Sequence, residues 1–188
     1  MSKIDFKPGN MLYPLPAIMV SSMREGEKPN IITLAWAGTI CSDPAMVSIS
    51  IRPSRYSYDI IKDTKEFVIN LVTEELTYAC DYAGVKSGRD IDKFDELKLN
   101  PYVSEYMKTP AIAESPVNIY CTVNDILPLG SHDMFIATVK GITVDDKYMD
   151  ENNSFKLDKA NLMAYSHGEY FSLGNKLGSF GYSVKKNK

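Results

Sequence analysis

The chain has 188 residues, a length that fits one globular domain with room for a terminal extension. Its 44% hydrophobic and 24% charged content is that of a folded protein and excludes a disordered chain. A net charge of −3, with a pI near 5.4, gives no long-range attraction for nucleic acid or another polyanion, whereas a small anionic ligand needs only a local positive site.

Residues 1–16 form a lead-in whose Pro8, Gly9, Pro14 and Pro16 oppose a regular helix. Ala17 to Ser22 is apolar and reads as the first strand, Arg24 to Glu27 as a hairpin turn, and Asn30 to Trp36 as the returning strand. Gly38 to Pro44 reads as a loop. Met46 to Ile51 then alternates, with Val47, Ile49 and Ile51 on one face and Met46, Ser48 and Ser50 on the other.

Tyr56 to Lys65 is predicted as a short amphipathic helix capped by Ser54 or Ser57, and Phe67 to Leu71 as a further strand. Thr73 is placed to cap a second helix over Glu74 to Ala83, with Gly84 as its C-terminal glycine. Val85 to Pro116 is irregular, and an excursion between strands is often a functional loop. Val117 to Asp125 alternates again, with Val117, Ile119, Cys121 and Val123 opposite Asn118, Tyr120, Thr122 and Asn124. After a turn over Leu127 to Ser131, Met134 to Val144 is a long β-branched strand.

Strands with few helices and short turns predict an antiparallel barrel or sandwich. Residues 145–188 are expected to form an extension of one domain spanning 1–188. Its patches Leu162 to Tyr165 and Tyr170-Phe171 would pack on the barrel or on a neighbouring copy, and Lys185 to Lys188 is expected to fray.

Cys41, Cys80 and Cys121 are too scattered for a zinc site or a disulfide framework, so no metal is expected and the thiols point to a reducing compartment. Met-Ser-Lys-Ile-Asp-Phe is not the start of a secretion signal, and no apolar run reaches membrane-spanning length. The expected location is the cytoplasm, without a membrane partner.

The strongest local constellation follows the strand that ends at Ile51. Arg52, Ser54, Tyr56 and Ser57 gather a guanidinium, hydroxyls and the free N–H groups of a helix start, which together can hold a phosphate. By chemistry alone the same residues also fit a surface turn capping a helix.

Several motifs resemble one family when taken in order: Asn30-x-x-Thr33-x-x-Trp36-x-Gly38, Ser42-Asp43-Pro44 and Ser50 through Ser57. Phe67 to Leu71, Gly88 to Phe94 and Gly130-Ser131-His132-Asp133 continue the match. The pattern is similar to the flavin reductase-like proteins, in particular the flavoredoxin-like branch, and covers most of residues 10–140. The resemblance implies a mainly β, FMN-binding split β-barrel with a few helices, of Greek-key antiparallel type, and a homodimer. It implies that Ser50, Ile51, Arg52, Ser54, Tyr56 and Ser57 hold the FMN phosphate and ribityl chain. Asn30 and Thr33 belong to the same site, with Trp36, Ala37, Gly38 and Thr39 along the isoalloxazine and Lys93 reaching the phosphate. His132 would face the open side of the flavin and orient a redox partner as the catalytic residue.

The sequence carries no Ser-His-Asp or Cys-His signature and no G-x-G-x-x-G after a strand, so neither nucleophilic catalysis nor a Rossmann nicotinamide site is indicated. The implied function is an FMN oxidoreductase taking electrons from NAD(P)H or a protein donor and passing them to free flavin or an electron carrier. A flavin carrier without nicotinamide turnover is the alternative. A nucleic-acid-binding barrel is disfavoured by the acidic balance and the lack of interleaved basic and aromatic residues.

Overall fold

A computed structural model describes residues 1–184; the expected fraying of Lys185 to Lys188 lies outside the described residues. After β1 (Leu15–Pro16), strands β2 (Ile18–Ser22), β3 (Asn30–Leu34), β4 (Ala37–Ser42) and β5 (Ala45–Ile51) lead into α1 (Tyr56–Thr64). β6 (Glu66–Leu71), α2 (Thr77–Val85), α3 (Lys93–Glu96) and a small hairpin of β7 (Pro101–Tyr102) and β8 (Ala111–Ile112) follow. Two long strands, β9 (Val117–Pro128) and β10 (Asp133–Val144), precede a terminal hairpin, β11 (Met163–Ser166) and β12 (Glu169–Ser172). Among the described residues no helix is long and apolar enough to cross a membrane.

The main sheet has seven strands in the order β3-β2-β6-β9-β10-β5-β4, and its neighbouring pairs are antiparallel. It curls so that β3 at one end approaches β5 near the other, and the Ser50 N–H donates to the carbonyl of Trp36, in the link from β3 to β4, at 2.8 Å. One face encloses a core of Ile18, Val20, Ile49, Ile51, Phe67, Cys121 and Phe135. The opposite face of β2 and β3 packs Met19 and Ile31 against Leu76, Cys80 and Ala83 of the α2 region, Phe94 of α3 and Met163 of the tail. β2 is therefore covered on both sides. That is why Ala17 to Val20 is a continuous apolar run rather than an alternating one.

Four local expectations are corrected. The stretch predicted as a loop at Gly38 to Pro44 is mostly β4, paired with β5 from Ala37↔Ile49 to Ser42↔Ala45. As an edge strand with Gly38, Thr39 and Ile40 exposed, it needs no apolar alternation. The N-cap of α1 is Arg55, without a side-chain cap bond, because the Ser57 hydroxyl is turned inward to Asn30. Thr73 does stand at a cap position, but of a 3-10 turn at Glu74–Leu76 that runs into α2. Gly84 lies inside α2 rather than after it; a Cβ there would sit 3.1 Å from Thr33 Cβ, so the glycine permits α2 to press against β3.

Tyr120, predicted on the polar face of its strand, is fully buried with Val68, Met107 and Ala111. The excursion before β9 covers that face, held by polar groups. Asn70 Oδ1 accepts from the Ile112 N–H and from Asn118 Nδ2, each at 2.8 Å, and the Ser21 hydroxyl donates to the Pro110 carbonyl at 2.6 Å. Ser21, Asn70 and Asn118 are thus docking points, whereas Asn124 further along β9 is exposed.

The tail is tied down through β11, which pairs with β1 and β12 in a separate three-stranded sheet, and through buried Met163 and Ala164. The three cysteines are free thiols. Burial pushes both Cys80 and Cys121 up to about 12, so neither is a thiolate at neutral pH.

Candidate functional site

The end of β5, the start of α1 and the whole length of β3 converge on two adjoining cavities. The larger, of about 300 Å³, is lined by Thr33, Trp36, Ser50, Arg52, Arg55 and His132, with Tyr165 and Tyr170 of the tail hairpin as a further wall. The smaller, of about 210 Å³, is lined by Asn30, Ser54 to Ser57, the segment Ala83 to Arg89, and Lys93. Ile32, Arg55 and Gly84 belong to both linings, so Arg55 stands at the junction.

The smaller cavity is a cradle of donors. Asn30 Nδ2 donates to Ser57 Oγ at 2.7 Å, and both side chains are buried. Ser57's own hydroxyl hydrogen has no acceptor among the described residues. The uncapped start of α1 adds backbone N–H groups with the positive end of the helix dipole. Gly88 permits the close approach of the 86–92 loop: a Cβ there would lie 1.9 Å from Asn30 Oδ1 and 2.9 Å from the Tyr56 ring. Arg89 lies over the Tyr56 ring at 5.3 Å and donates to the Ser54 carbonyl at 3.3 Å.

Lys93 is only 3% exposed, and its ammonium donates to the carbonyls of Ile31 at 2.7 Å and Ala83 at 2.6 Å. Two of its three hydrogens are thereby committed to holding α2 and α3 on β3. Among the described residues no carboxylate pairs with it, and burial, with Arg55 second, pushes it down to about 8. Its neighbour Asp92 is engaged elsewhere, capping α3 and pairing with Lys28 at 2.9 Å.

Neither Arg52, Arg55 nor Arg89 pairs with a carboxylate among the described residues. Three guanidiniums and a buried ammonium around one pair of cavities, in a chain of net charge −3, make a local site for an anion.

In the larger cavity the ring of His132 is partly covered, with Nδ1 at 2.9 Å from the Ser131 hydroxyl. Burial lowers its pKa, with Arg52 and then Arg55 adding to the effect, so the imidazole is neutral at pH 7. The next residue is anchored: Tyr58 of α1 donates to Asp133 Oδ2 at 2.6 Å, a bond that with burial pushes the Tyr58 hydroxyl up to about 12. Thr33 Oγ1 donates to the Cys80 carbonyl, fixing β3 to α2.

Of the residues singled out from the sequence, Asn30, Ser54, Tyr56, Ser57 and Lys93 come together in the smaller cavity, and Thr33, Trp36, Ser50, Arg52 and His132 in the larger. Ile51 is fully buried in the core, so only its backbone is available to a ligand. Ala37, Gly38 and Thr39 lie on β4 and in neither lining. The sequence motifs include Arg55 and Arg89, and the tail patches Tyr165 and Tyr170, but none of these four was named as a site residue, and Ser87 was passed over altogether. Arg55 was in view within Arg52-Pro53-Ser54-Arg55. The two tyrosines carried a weaker signal, a His-Gly turn with an aromatic on each flank.

A family model described as flavin reductase like domain matches residues 11–174. An uncharacterized protein of Archaeoglobus fulgidus is 32% identical over 139 residues, 74% of this chain and 77% of that one. Flavoredoxin of Desulfovibrio vulgaris (Miyazaki F) superposes with a TM-score of 0.90 at 27% identity, covering 98% of this chain and 100% of that one. A putative flavin reductase with split barrel domain from Shewanella frigidimarina shares the fold, with a TM-score of 0.80 at 19% identity over 90% of this chain and 86% of that one.

Proposed function

Because the chain belongs to the flavin reductase-like family, on its flavoredoxin-like branch, we propose that it is an FMN-binding oxidoreductase that passes electrons from NAD(P)H or a protein donor to free flavin or an electron carrier. The observation that carries the reading is the pair of joined cavities, with Arg55 at their junction and, among the described residues, no carboxylate in either lining. A phosphate-bearing planar ligand suits that division.

The residues present fit FMN. Ser57, the α1 N-terminus, Arg55, Arg89 and the remaining hydrogen of Lys93 would hold the phosphate, with Asn30 and Ser54 shaping the floor. The isoalloxazine would lie in the larger cavity beside Thr33, Trp36 and Ser50. Bound FMN supplies the electron-accepting and hydride-transferring chemistry. A neutral His132 then orients the incoming partner without adding charge, while Arg52 attracts that partner's anionic part. No residue here is required to shuttle a proton, consistent with hydride transfer, which needs alignment above all.

The chain is further proposed to act as a homodimer in the cytoplasm. Apolar side chains exposed near both ends, including Phe6, Leu12, Leu177 and Phe180, support pairing of two copies. The visible spectrum of purified protein, followed by anaerobic mixing with NADH and then NADPH, tests the assignment. A flavin band that bleaches with either nucleotide supports a reductase. A band that persists with both leaves the carrier reading, and a protein that neither contains nor takes up FMN overturns both.

A further inference from the structure

The flavin reading assigns no role to the tail, yet the tail completes the larger cavity. Tyr165 and Tyr170 both line it. They are cross-strand partners on β11 and β12, with ring centroids 5.9 Å apart, and so form one continuous aromatic surface. At its base the hairpin is firmly anchored: the Met163 N–H donates to the Val72 carbonyl at 3.1 Å, and the Glu74 N–H to the Asn161 carbonyl at 2.9 Å. Above the base, β11 pairs with the two residues of β1, Leu15↔Tyr165 and Pro16↔Ala164, where Pro16 has no N–H to offer the ladder. The Tyr13 ring sits against Tyr165 and His167, and Tyr165 and Tyr170 pack on the core shared by β2, β3 and α2.

Polar contacts tie the hairpin to α2, which packs on the same face of β3: at the base the Thr77 hydroxyl donates to Met163 Sδ at 3.2 Å, and a second bond lies further out. The Tyr170 hydroxyl donates to Asp81 Oδ1 of α2 at 3.1 Å. α2 also contributes Gly84 to the cavity lining, so this bond links the tail wall directly to the scaffold of the site.

On the flavin reading given above, we propose that Tyr165 and Tyr170 are part of the cofactor site, a latched aromatic wall, and that the Tyr170–Asp81 bond must open for FMN to leave. Tyr170 is then a binding residue through its ring and a latch through its hydroxyl, and Asp81 is a positioning residue that acts through it. The arrangement sets how long the flavin stays, and hence whether it behaves as a resident group or is exchanged.

The test uses the full chain loaded with FMN, diluted and followed by the recovery of free-flavin fluorescence, with association measured separately by quenching. Tyr170→Phe and Asp81→Ala are each expected to raise the dissociation rate about three- to tenfold, with association unchanged within about twofold. The double variant should be no faster than either single one, because both changes remove one bond. Asp81→Asn keeps an acceptor and should release FMN at nearly the wild-type rate. The apo proteins should melt together, which a merely structural role for the bond would not give. Dissociation at the wild-type rate in both Tyr170→Phe and Asp81→Ala overturns the latch while leaving the flavin reading intact. Failure of the wild-type chain to bind FMN at all overturns that reading and the latch with it.

Discussion

Asn30 at the start of β3 and Ser57 in the first turn of α1 are joined by a buried 2.7 Å hydrogen bond, and Gly88 lies directly over it. The bond fixes how the first helix meets the sheet, and the glycine lets the 86–92 loop close the cradle from above. Gly88→Ala should therefore disrupt both, since the added Cβ would lie 1.9 Å from Asn30 Oδ1. Neither buried side chain can swing aside without breaking the bond, so the loop has to lift. A loss of about 1–3 kcal/mol in thermal or urea unfolding is expected, with FMN affinity falling alongside. Wild-type stability and affinity in this variant would show that the cradle is not closed by the loop.

Arg55 and Arg52 are expected to separate in binding. Arg55 stands at the junction of the two cavities, whereas Arg52 lines only the larger. Arg55→Ala should weaken FMN by about 1.5–3 kcal/mol, roughly ten- to a hundredfold in Kd, as a charge-assisted contact is lost. Arg52→Ala should cost less in FMN affinity and be felt more in the KM for the electron donor. Titration of both variants decides the matter; equal and unaltered Kd values would remove the arginines from the phosphate site.

What the sequence revealed depended on whether a residue's role was local. Val47, Ile49 and Ile51 alternate on a strand with one buried face, so the core side of β5 was readable. Ser57 and Tyr120 were misplaced because a tertiary partner outweighs local preference: Asn30 draws the serine away from a capping position, and residues 107–111 cover the tyrosine. β4 was unreadable because an exposed edge strand obeys no burial pattern. In the site, the residues near the strand-to-helix turn were found, while Tyr165 and Tyr170 were not. Their distance from that turn along the chain is closed by tertiary contacts that leave no local pattern: the pairing of β11 with β1, the Met163–Val72 backbone bond and the Tyr170–Asp81 bond.

Lys93 should make flavin binding depend on pH. Its ammonium titrates near 8 in the folded protein against an ordinary 10.5, so between those values the unfolded chain binds more protons than the folded one. Stability from this group therefore rises with pH across that window, and below it the buried charge is a standing cost. A phosphate beside the ammonium reverses the preference, because it favours the charged form. FMN affinity should accordingly be flat up to about pH 8 and weaken by up to about tenfold per unit above it. Lys93→Met should bind more weakly and lose the break, while the unfolding free energy of its apo form should lack the wild-type rise. A break of the same size in both proteins would assign the titration to another group.

Asn70 offers a contrast, a residue whose loss should destabilise the fold while sparing the site. Its side chain donates to the Met19 carbonyl at 3.0 Å and accepts from the Ile112 N–H and Asn118 Nδ2 at 2.8 Å each, so it pins the excursion before β9 onto β2 and β9. Asn70→Ala leaves the Ile112 N–H without its acceptor and opens space that Ser21 and Asn118 cannot fill. A cost of about 2–4 kcal/mol is expected, since an unsatisfied buried group alone costs about 1–3 kcal/mol and a small cavity is added. None of these partners lines either cavity, so FMN affinity in the folded variant should stay within about twofold of wild type. Chemical denaturation and flavin titration of the same preparation separate the two quantities. A large loss of affinity without loss of stability would mean that the excursion reaches the cofactor, which its hydrogen bonds to β2, β6 and β9 argue against.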